Sequence, residues 1–145
     1  MLGFFKMKKT LRYLINNNKD DDIAITSDDN QPIKFSELKK HVYNISSQLS
    51  GNGILKTDRA AIVLPNGPEM ATAFLAVSSY MSAAPLNPSY KLSEYEFYLE
   101  DLKPKIVIVE KDSSNPVVAA ANKLGIEICE IKRNEGMPAG IFNLY

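Results

Sequence analysis

The 145-residue chain balances 17 Lys and Arg against 17 Asp and Glu, and 45% of its residues are hydrophobic. This length is typical of one domain with one core. The charge balance argues against binding to a nucleic-acid backbone, and the apolar content argues against disorder. One Cys and one His cannot form an internal disulfide or a Cys/His zinc site, which favours a reducing, cytoplasmic compartment and a buried, apolar role for Cys129.

Neither a signal peptide nor a membrane span is predicted. In residues 1–9 the apolar Leu2, Phe4 and Phe5 precede the Lys residues, which is the reverse of the order in a secretory signal. The uncharged stretch 70–90 is long enough to cross a bilayer, but Pro85-Leu86-Asn87-Pro88 interrupts it. We therefore expect no membrane and no nucleic acid as partners, and we interpret the stretch as core.

Apolar spacing and turn residues predict the secondary structure. A helix over residues 8–18 and a hairpin over 23–35 come first, followed by a helix from Ser36 whose apolar residues recur every three or four positions. The further predicted elements are strands at 60–64, 83–87, 106–109 and 126–128, and helices at 68–81, 93–102 and 116–124. Strands that alternate with helices predict an α/β fold with βαβ units, a parallel sheet and helices on both of its faces.

Three details of this interpretation can be tested directly. Phe74 lies on the main apolar stripe of helix 68–81, so Phe74→Asp is expected to destabilise the fold severely. Ser93 and Glu96 have the spacing of a capping box, which predicts that Ser93 caps the next helix. Residues 132–145 show no clear period, so they are expected to be a connection.

The motif search yields no catalytic, cofactor-binding or metal-binding residue. Pro65 and Pro68 remove N–H donors from the strand-to-helix loop, and Glu69 opposes a phosphate there. His41 lies among polar residues and is interpreted as a surface side chain. The remaining candidates are interpreted as structural: Asp20-Asp21-Asp22 as a solvated linker, Glu100-Asp101 as a solvated helix face, Gly51 and Gly53 as a helix stop, and Tyr95 and Tyr98 as core.

Several motifs in order resemble the opening of the adenylate-forming superfamily, which includes the acyl-CoA synthetases. They are the segment from Ile62 to Glu69, Phe74-Leu75-Ala76 and Pro85-Leu86-Asn87-Pro88, followed by Glu94, Leu99, Asp101 and Lys105. The resemblance covers roughly residues 10–144. The string from Ala83 to Tyr90, with Glu96-Phe97-Tyr98-Leu99 and the segment 137–144, is similar to the oxalate–CoA ligase branch.

This resemblance implies that residues 1–145 form the N-terminal portion of the AMP-binding large domain, ending before the phosphate-binding loop. In the complete enzyme, acid, ATP and CoA would give acyl-CoA, AMP and pyrophosphate, with Mg as cofactor. No catalytic or nucleotide-binding residue of the family maps onto this chain. It would therefore act as scaffold, with the remainder of the ligase or a complementing chain as partner, or would self-associate through uncovered apolar surface.

Two other interpretations remain open at this stage. One is a stand-alone, non-catalytic α/β interaction or regulatory module. The other is a flavodoxin-like signalling domain, for which Glu110 and Asp112 are the only acidic candidates after a strand.

Overall fold

The fold is built on a mostly parallel sheet, as seen in a computed structural model that describes residues 10–145. The elements, in chain order, are α1 (Leu11–Asn16), β1 (Ile23–Ser27), β2 (Asn30–Lys34), α2 (Phe35–Gly51), β3 (Arg59–Ile62), α3 (Pro68–Ser78), β4 (Ser82–Pro85), α4 (Leu92–Leu102), β5 (Ile106–Glu110), α5 (Pro116–Leu124), β6 (Glu127–Lys132) and β7 (Asn143–Leu144). β1 and β2 form the expected hairpin, and the main sheet has the order β4-β3-β5-β6-β7. The predicted α/β class is confirmed.

Alternate residues of the strands face two separate apolar layers. Ala60 and Ile62 of β3 pack with α2 and α3, whereas Ala61 and the following Val63 pack with α4 and α5. All four residues from Ile106 to Val109 are buried, as expected for a central strand covered on both faces. Pro85 lies at the end of edge strand β4, where its missing N–H interrupts no ladder.

Local capping explains where the second pair of helices begins. Asn115 Oδ1 accepts the Val117 N–H at 2.9 Å, and Gly125 ends α5 with a φ of 67°, as predicted. The capping box predicted for Ser93 is wrong by two residues. Helix α4 begins at Leu92, and the Glu94 carboxylate accepts the Lys91 N–H at 2.8 Å.

The apolar stripe predicted for α3 is confirmed at Ala73 and Val77 but not at Phe74. Thr72, Ala73, Ala76 and Val77 are buried, whereas Phe74 is 39% exposed, so the predicted core role of Phe74 is wrong. Small side chains let α3 approach α2 and the sheet closely, and this packing turns the larger ring outward.

The segment 133–145 is packed against the fold and is more than the connection expected from its irregular sequence. Strand β7 pairs antiparallel with β6, and the Ala139 N–H donates to Gln31 O of the hairpin at 2.9 Å. The Thr72 hydroxyl of α3 donates to Gly140 O at 2.5 Å. We call residues 133–145 the tail strap, because they join the hairpin, α3 and the edge of the sheet.

Gly140 is required where the tail strap crosses α3. Its φ is 76°, and a Cβ atom there would lie 2.6 Å from Thr72 Cγ2 and 2.9 Å from Pro68 O. Gly136 has a similar φ of 80° but open space around it. The two glycines therefore separate the cost of backbone strain from the cost of a steric clash.

The tail strap also buries His41, which contradicts its predicted surface position. His41 is only 5% exposed, and its ring lies edge-on to Phe142 with centroids 4.5 Å apart. Among the described residues, His41 Nε2 is a buried side-chain atom without a hydrogen-bond partner. Burial lowers the pKa of His41 from 6.5 to about 4.

We predict that Gly140→Ala lowers the free energy of unfolding by about 2–5 kcal/mol, because it adds a steric clash to left-handed strain. Gly136→Ala is the matched control and should cost only about 1–2 kcal/mol, the strain alone. Urea unfolding of both variants measures the difference. Equal losses would show that the Gly140 contact is not tightly packed.

We predict that Val77→Asp costs more than about 4 kcal/mol, because it places an unpaired charge in the core. Phe74→Asp should cost about 1–2 kcal/mol, since position 74 is partly exposed to water. Thermal unfolding of the two variants is the comparison. If Phe74→Asp lost more stability than Val77→Asp, the core position predicted for Phe74 from the sequence would be correct.

We predict an acid-sensitive contribution from His41, because the unfolded chain binds its proton more readily than the folded chain. Stability should fall as the pH falls from about 6.5 to about 4, by up to about 3 kcal/mol relative to His41→Phe. Urea titrations of both proteins across this range isolate the effect, since every other titrating group is shared. A constant difference between the two would contradict it.

Candidate functional site

The connectivity of the sheet places a crevice between the ends of β3 and β5. The connection after β3 leads to β4 on one side, and the connection after β4 returns to β5 on the other side of β3. Parallel α/β sheets commonly bind ligands beyond the carboxyl ends of two strands at such a reversal. We call this place the switch-point crevice and treat it as the candidate site.

Three loops line the switch-point crevice, which has a volume of about 360 Å³. The loop after β3 contributes Val63 and Pro65, the loop after β4 contributes Pro88, and the end of β5 with the loop after it contributes residues 110–115. A neighbouring cavity of about 530 Å³ shares residues 110–112 and reaches Glu69, Lys132 and Arg133. Acidic and basic side chains thus face the same edge of the sheet.

The Pro85-Leu86-Asn87-Pro88 motif forms a turn that is fixed by hydrogen bonds. Asn87 Oδ1 accepts the Ser89 N–H at 2.9 Å, and Asn87 O accepts the Tyr95 hydroxyl at 2.8 Å. Pro88 O accepts Asn115 Nδ2 at 2.8 Å, which ties this turn to the start of α5. These contacts give the motif a positioning role at the crevice.

The core prediction for the tyrosines holds for Tyr95, which is fully buried. Burial raises the pKa of its hydroxyl. Tyr98 is only partly buried and stacks on Tyr90, with ring centroids 5.1 Å apart. Helical spacing did not predict this stack, because Tyr90 precedes α4 and therefore has no place in the periodicity of that helix.

The loop from Leu64 to Glu69 offers few backbone N–H donors to a phosphate group. Pro65 and Pro68 lack N–H groups, and the Glu69 carboxylate lies in the first turn of α3. Glu69 Oε1 accepts the Gly140 N–H at 3.4 Å and lies 3.7 Å from Arg133 Nε. Glu69 therefore fastens the tail strap, a role that its sequence position did not indicate.

The segment around the end of β5 is held by a contact to β6. Asp112 has a positive φ of 55°, and its N–H donates to Glu130 Oε1 on β6 at 3.1 Å. Glu110 and Asp112 lie beside Lys111, whose Nζ is 5.1 Å from the centroid of the Tyr145 ring. Opposite charges in one loop provide no concentrated field for an anion or a cation.

Two of the acidic residues between α1 and the hairpin pair with lysines. Asp20 lies 2.6 Å from Lys39 Nζ, and Asp21 lies 2.9 Å from Lys34 Nζ, so these carboxylates fasten the linker to α2 and the hairpin. Across residues 10–145 no cluster of three or more His, Cys, Asp or Glu residues could hold a metal ion. Within the same range, no helix has both the length and the apolar character to cross a membrane.

Cys129 is half-buried and lines a cavity of about 300 Å³ beside Leu49, Ile54 and Leu144. Burial raises the pKa of its thiol to about 11, with a smaller contribution from Glu127 and Glu130. The thiol is therefore protonated at neutral pH, which disfavours nucleophilic chemistry. Its apolar surroundings agree with the packing role expected from the sequence.

Comparison with known proteins identifies relatives of this chain. Residues 14–139 match the family described as AMP-binding enzyme. The chain is 40% identical over 82 residues to oxalate–CoA ligase from Arabidopsis thaliana, a match covering 56% of this chain and 16% of the relative. It is 39% identical over 93 residues to oxalate–CoA ligase from Saccharomyces cerevisiae, covering 61% of this chain and 17% of the relative.

The fold is shared with solved structures. The structure of apo MatB from Rhodopseudomonas palustris superimposes with a TM-score of 0.73 at 24% identity, over 90% of this chain and 26% of that one. Among the curated relatives, the two oxalate–CoA ligases are matched over about a sixth of their own length. Because the family match extends over most of the residues, this chain belongs to the family of AMP-binding enzymes, alongside acid–CoA ligases.

Proposed function

We propose that the chain is the N-terminal scaffold of an AMP-forming acid–CoA ligase and contributes no catalytic residue itself. The observation that carries the proposal is the family match over residues 14–139, together with the similarity to oxalate–CoA ligases. In the proposed complete enzyme, a carboxylic acid displaces pyrophosphate from ATP, and the thiol of CoA then displaces AMP. Mg and the nucleotide would be held by residues outside this chain.

The contacts at the switch-point crevice support a positioning role. Tyr95 and Asn115 hold the turn at Asn87 and Pro88, and Glu69 holds the tail strap against α3. Such contacts fix the relative positions of loops on one edge of the sheet. A rigid edge of this kind would support nucleotide-binding residues that belong to the remainder of the proposed enzyme.

The proposed partner is the remainder of the ligase or a complementing chain, within a cytoplasmic enzyme. Exposed apolar atoms of α3 support such docking, since Phe74 is 39% exposed and Ala71 is exposed beside it. Contiguous apolar surface commonly marks a site of protein contact. Self-association through this face is the alternative when the partner is absent.

We predict that the chain alone releases no pyrophosphate from Mg-ATP in the presence of oxalate or a panel of short and aryl acids. Loss of a single preorganised donor to a developing charge typically costs about 10²–10³ in rate, and here a complete phosphate-binding set is expected to be missing. A pyrophosphate assay and calorimetry with ATP measure the outcome. Saturable micromolar binding of ATP, or acid-dependent release, would contradict the scaffold assignment.

Fragment complementation tests the positive part of the proposal. The chain would be co-expressed with an oxalate–CoA ligase that lacks its corresponding N-terminal residues, and acid-dependent pyrophosphate release would be measured. Activity should return with the native chain and decrease with Gly140→Ala, which loosens the tail strap, more than with Gly136→Ala. A folded chain that never restores activity would favour the stand-alone interaction module.

A further inference from the structure

An exposed aromatic surface lies on α4, on the opposite face of the sheet from α3. Phe97 is 66% exposed and Leu92 is 42% exposed. Phe97 contacts Tyr98 edge-on at a centroid distance of 5.4 Å, and Tyr98 stacks on Tyr90. We call Tyr90, Phe97 and Tyr98 the aromatic patch.

Carboxylates surround the most exposed ring of this patch. Glu94, Glu100 and Asp101 are exposed and stand three residues before, three after and four after Phe97 on the helix. Residues at these spacings are neighbours on a helical surface. The aromatic patch therefore combines apolar rings with a negative rim, which suits an apolar segment that carries positive charge.

The negative rim also disfavours pairing of two identical patches face to face. Such a pairing would bring the carboxylates of one α4 close to those of the other, and like charges across an interface oppose association. The rim thus favours a cationic occupant over a symmetric α4–α4 contact.

The chain itself contains a segment with the required chemistry. Residues 1–9 carry Phe4 and Phe5 followed by Lys6, Lys8 and Lys9, and they contain no acidic residue. Aromatic side chains can pack on the patch while the Lys side chains meet its carboxylates. The composition of residues 1–9 complements that of the patch in both respects.

The position of α1 favours a second copy as the source of this segment. Residues 1–9 lead into α1, whose Ile15 packs in the core layer of α2 and α3. The aromatic patch lies on α4, in the layer on the opposite face of the sheet. Nine residues span at most about 30 Å, and within one copy they would have to pass around the sheet.

We propose that residues 1–9 of one copy dock on the aromatic patch of a second copy of this chain. Phe4 and Phe5 contact the rings of the patch, and the Lys side chains pair with Glu100 and Asp101. The interaction is independent of ligase activity, since it uses no residue of the switch-point crevice. Its strength decreases with salt, because exposed charges are screened.

Light scattering and sedimentation of the full chain across a concentration series measure the association. Phe97→Ala should weaken it about tenfold or more, because an exposed aromatic anchor is lost from the interface. Tyr43→Ala is the matched control, since Tyr43 is 60% exposed on α2 at the opposite face. The control should leave the association constant within about twofold of the native value.

A charge-reversal cycle identifies the occupant. Lys8→Glu with Lys9→Glu should weaken association about tenfold, and so should Glu100→Lys with Asp101→Lys. All four substitutions together should restore the association to within about threefold of the native value. Circular dichroism confirms that each variant remains folded.

Several results would overturn the proposal. A monomer at every concentration excludes docking between copies. Association that depends on Phe97 but not on Lys8 and Lys9 indicates pairing of the patches themselves. If the variant with all four charge reversals does not regain association, or if Tyr43→Ala weakens association, residues 1–9 do not dock on the aromatic patch.

Discussion

The close approach of Gly140 to α3 is the contact on which the packing of the tail strap against the hairpin, α2 and α3 depends. The Thr72 hydroxyl bonds to Gly140 O, while the space that a Cβ atom would fill is already taken by Thr72 and Pro68. Fixing Gly140 there brings Ala139 to the hairpin and Phe142 to His41. One glycine thus positions the tail strap on three elements that lie far apart in sequence.

The same contact explains two features that look unfavourable in isolation. His41 loses hydration without gaining a bond at Nε2, a cost offset by the apolar packing of Phe142 and its neighbours. Phe74 remains partly exposed because α3 presents Thr72, Ala73 and Ala76 inward, the side that the tail strap and α2 can approach. Close packing of small groups has prevailed over burial of the largest ring.

The sequence predicts those parts of the fold whose signals are local. Asn115 and Gly125 bound α5 by capping, and the β-branched run from Ile106 to Val109 defines the central strand. The exposure of His41 and of Phe74 could not be predicted in this way, because it depends on residues up to about a hundred positions away in the sequence. The apolar positions Phe142 and Leu144 beside Gly140 were the available signal for the tail strap, but their partners are set only by the tertiary fold.

The candidate site illustrates the same division between local and distant information. The order of the elements predicted a parallel sheet, and the opposite directions of the connections that leave β3 and β5 then determine where a crevice opens. What the sequence did not reveal is that three side chains near this edge are already engaged, Asn115 with Pro88, Tyr95 with Asn87 and Glu69 with the tail strap. Side chains held by such bonds are poorly suited to exchange protons or bind phosphate, but they hold loops in fixed positions. These bonded side chains therefore support the loops of this edge, in keeping with the positioning role proposed for the chain.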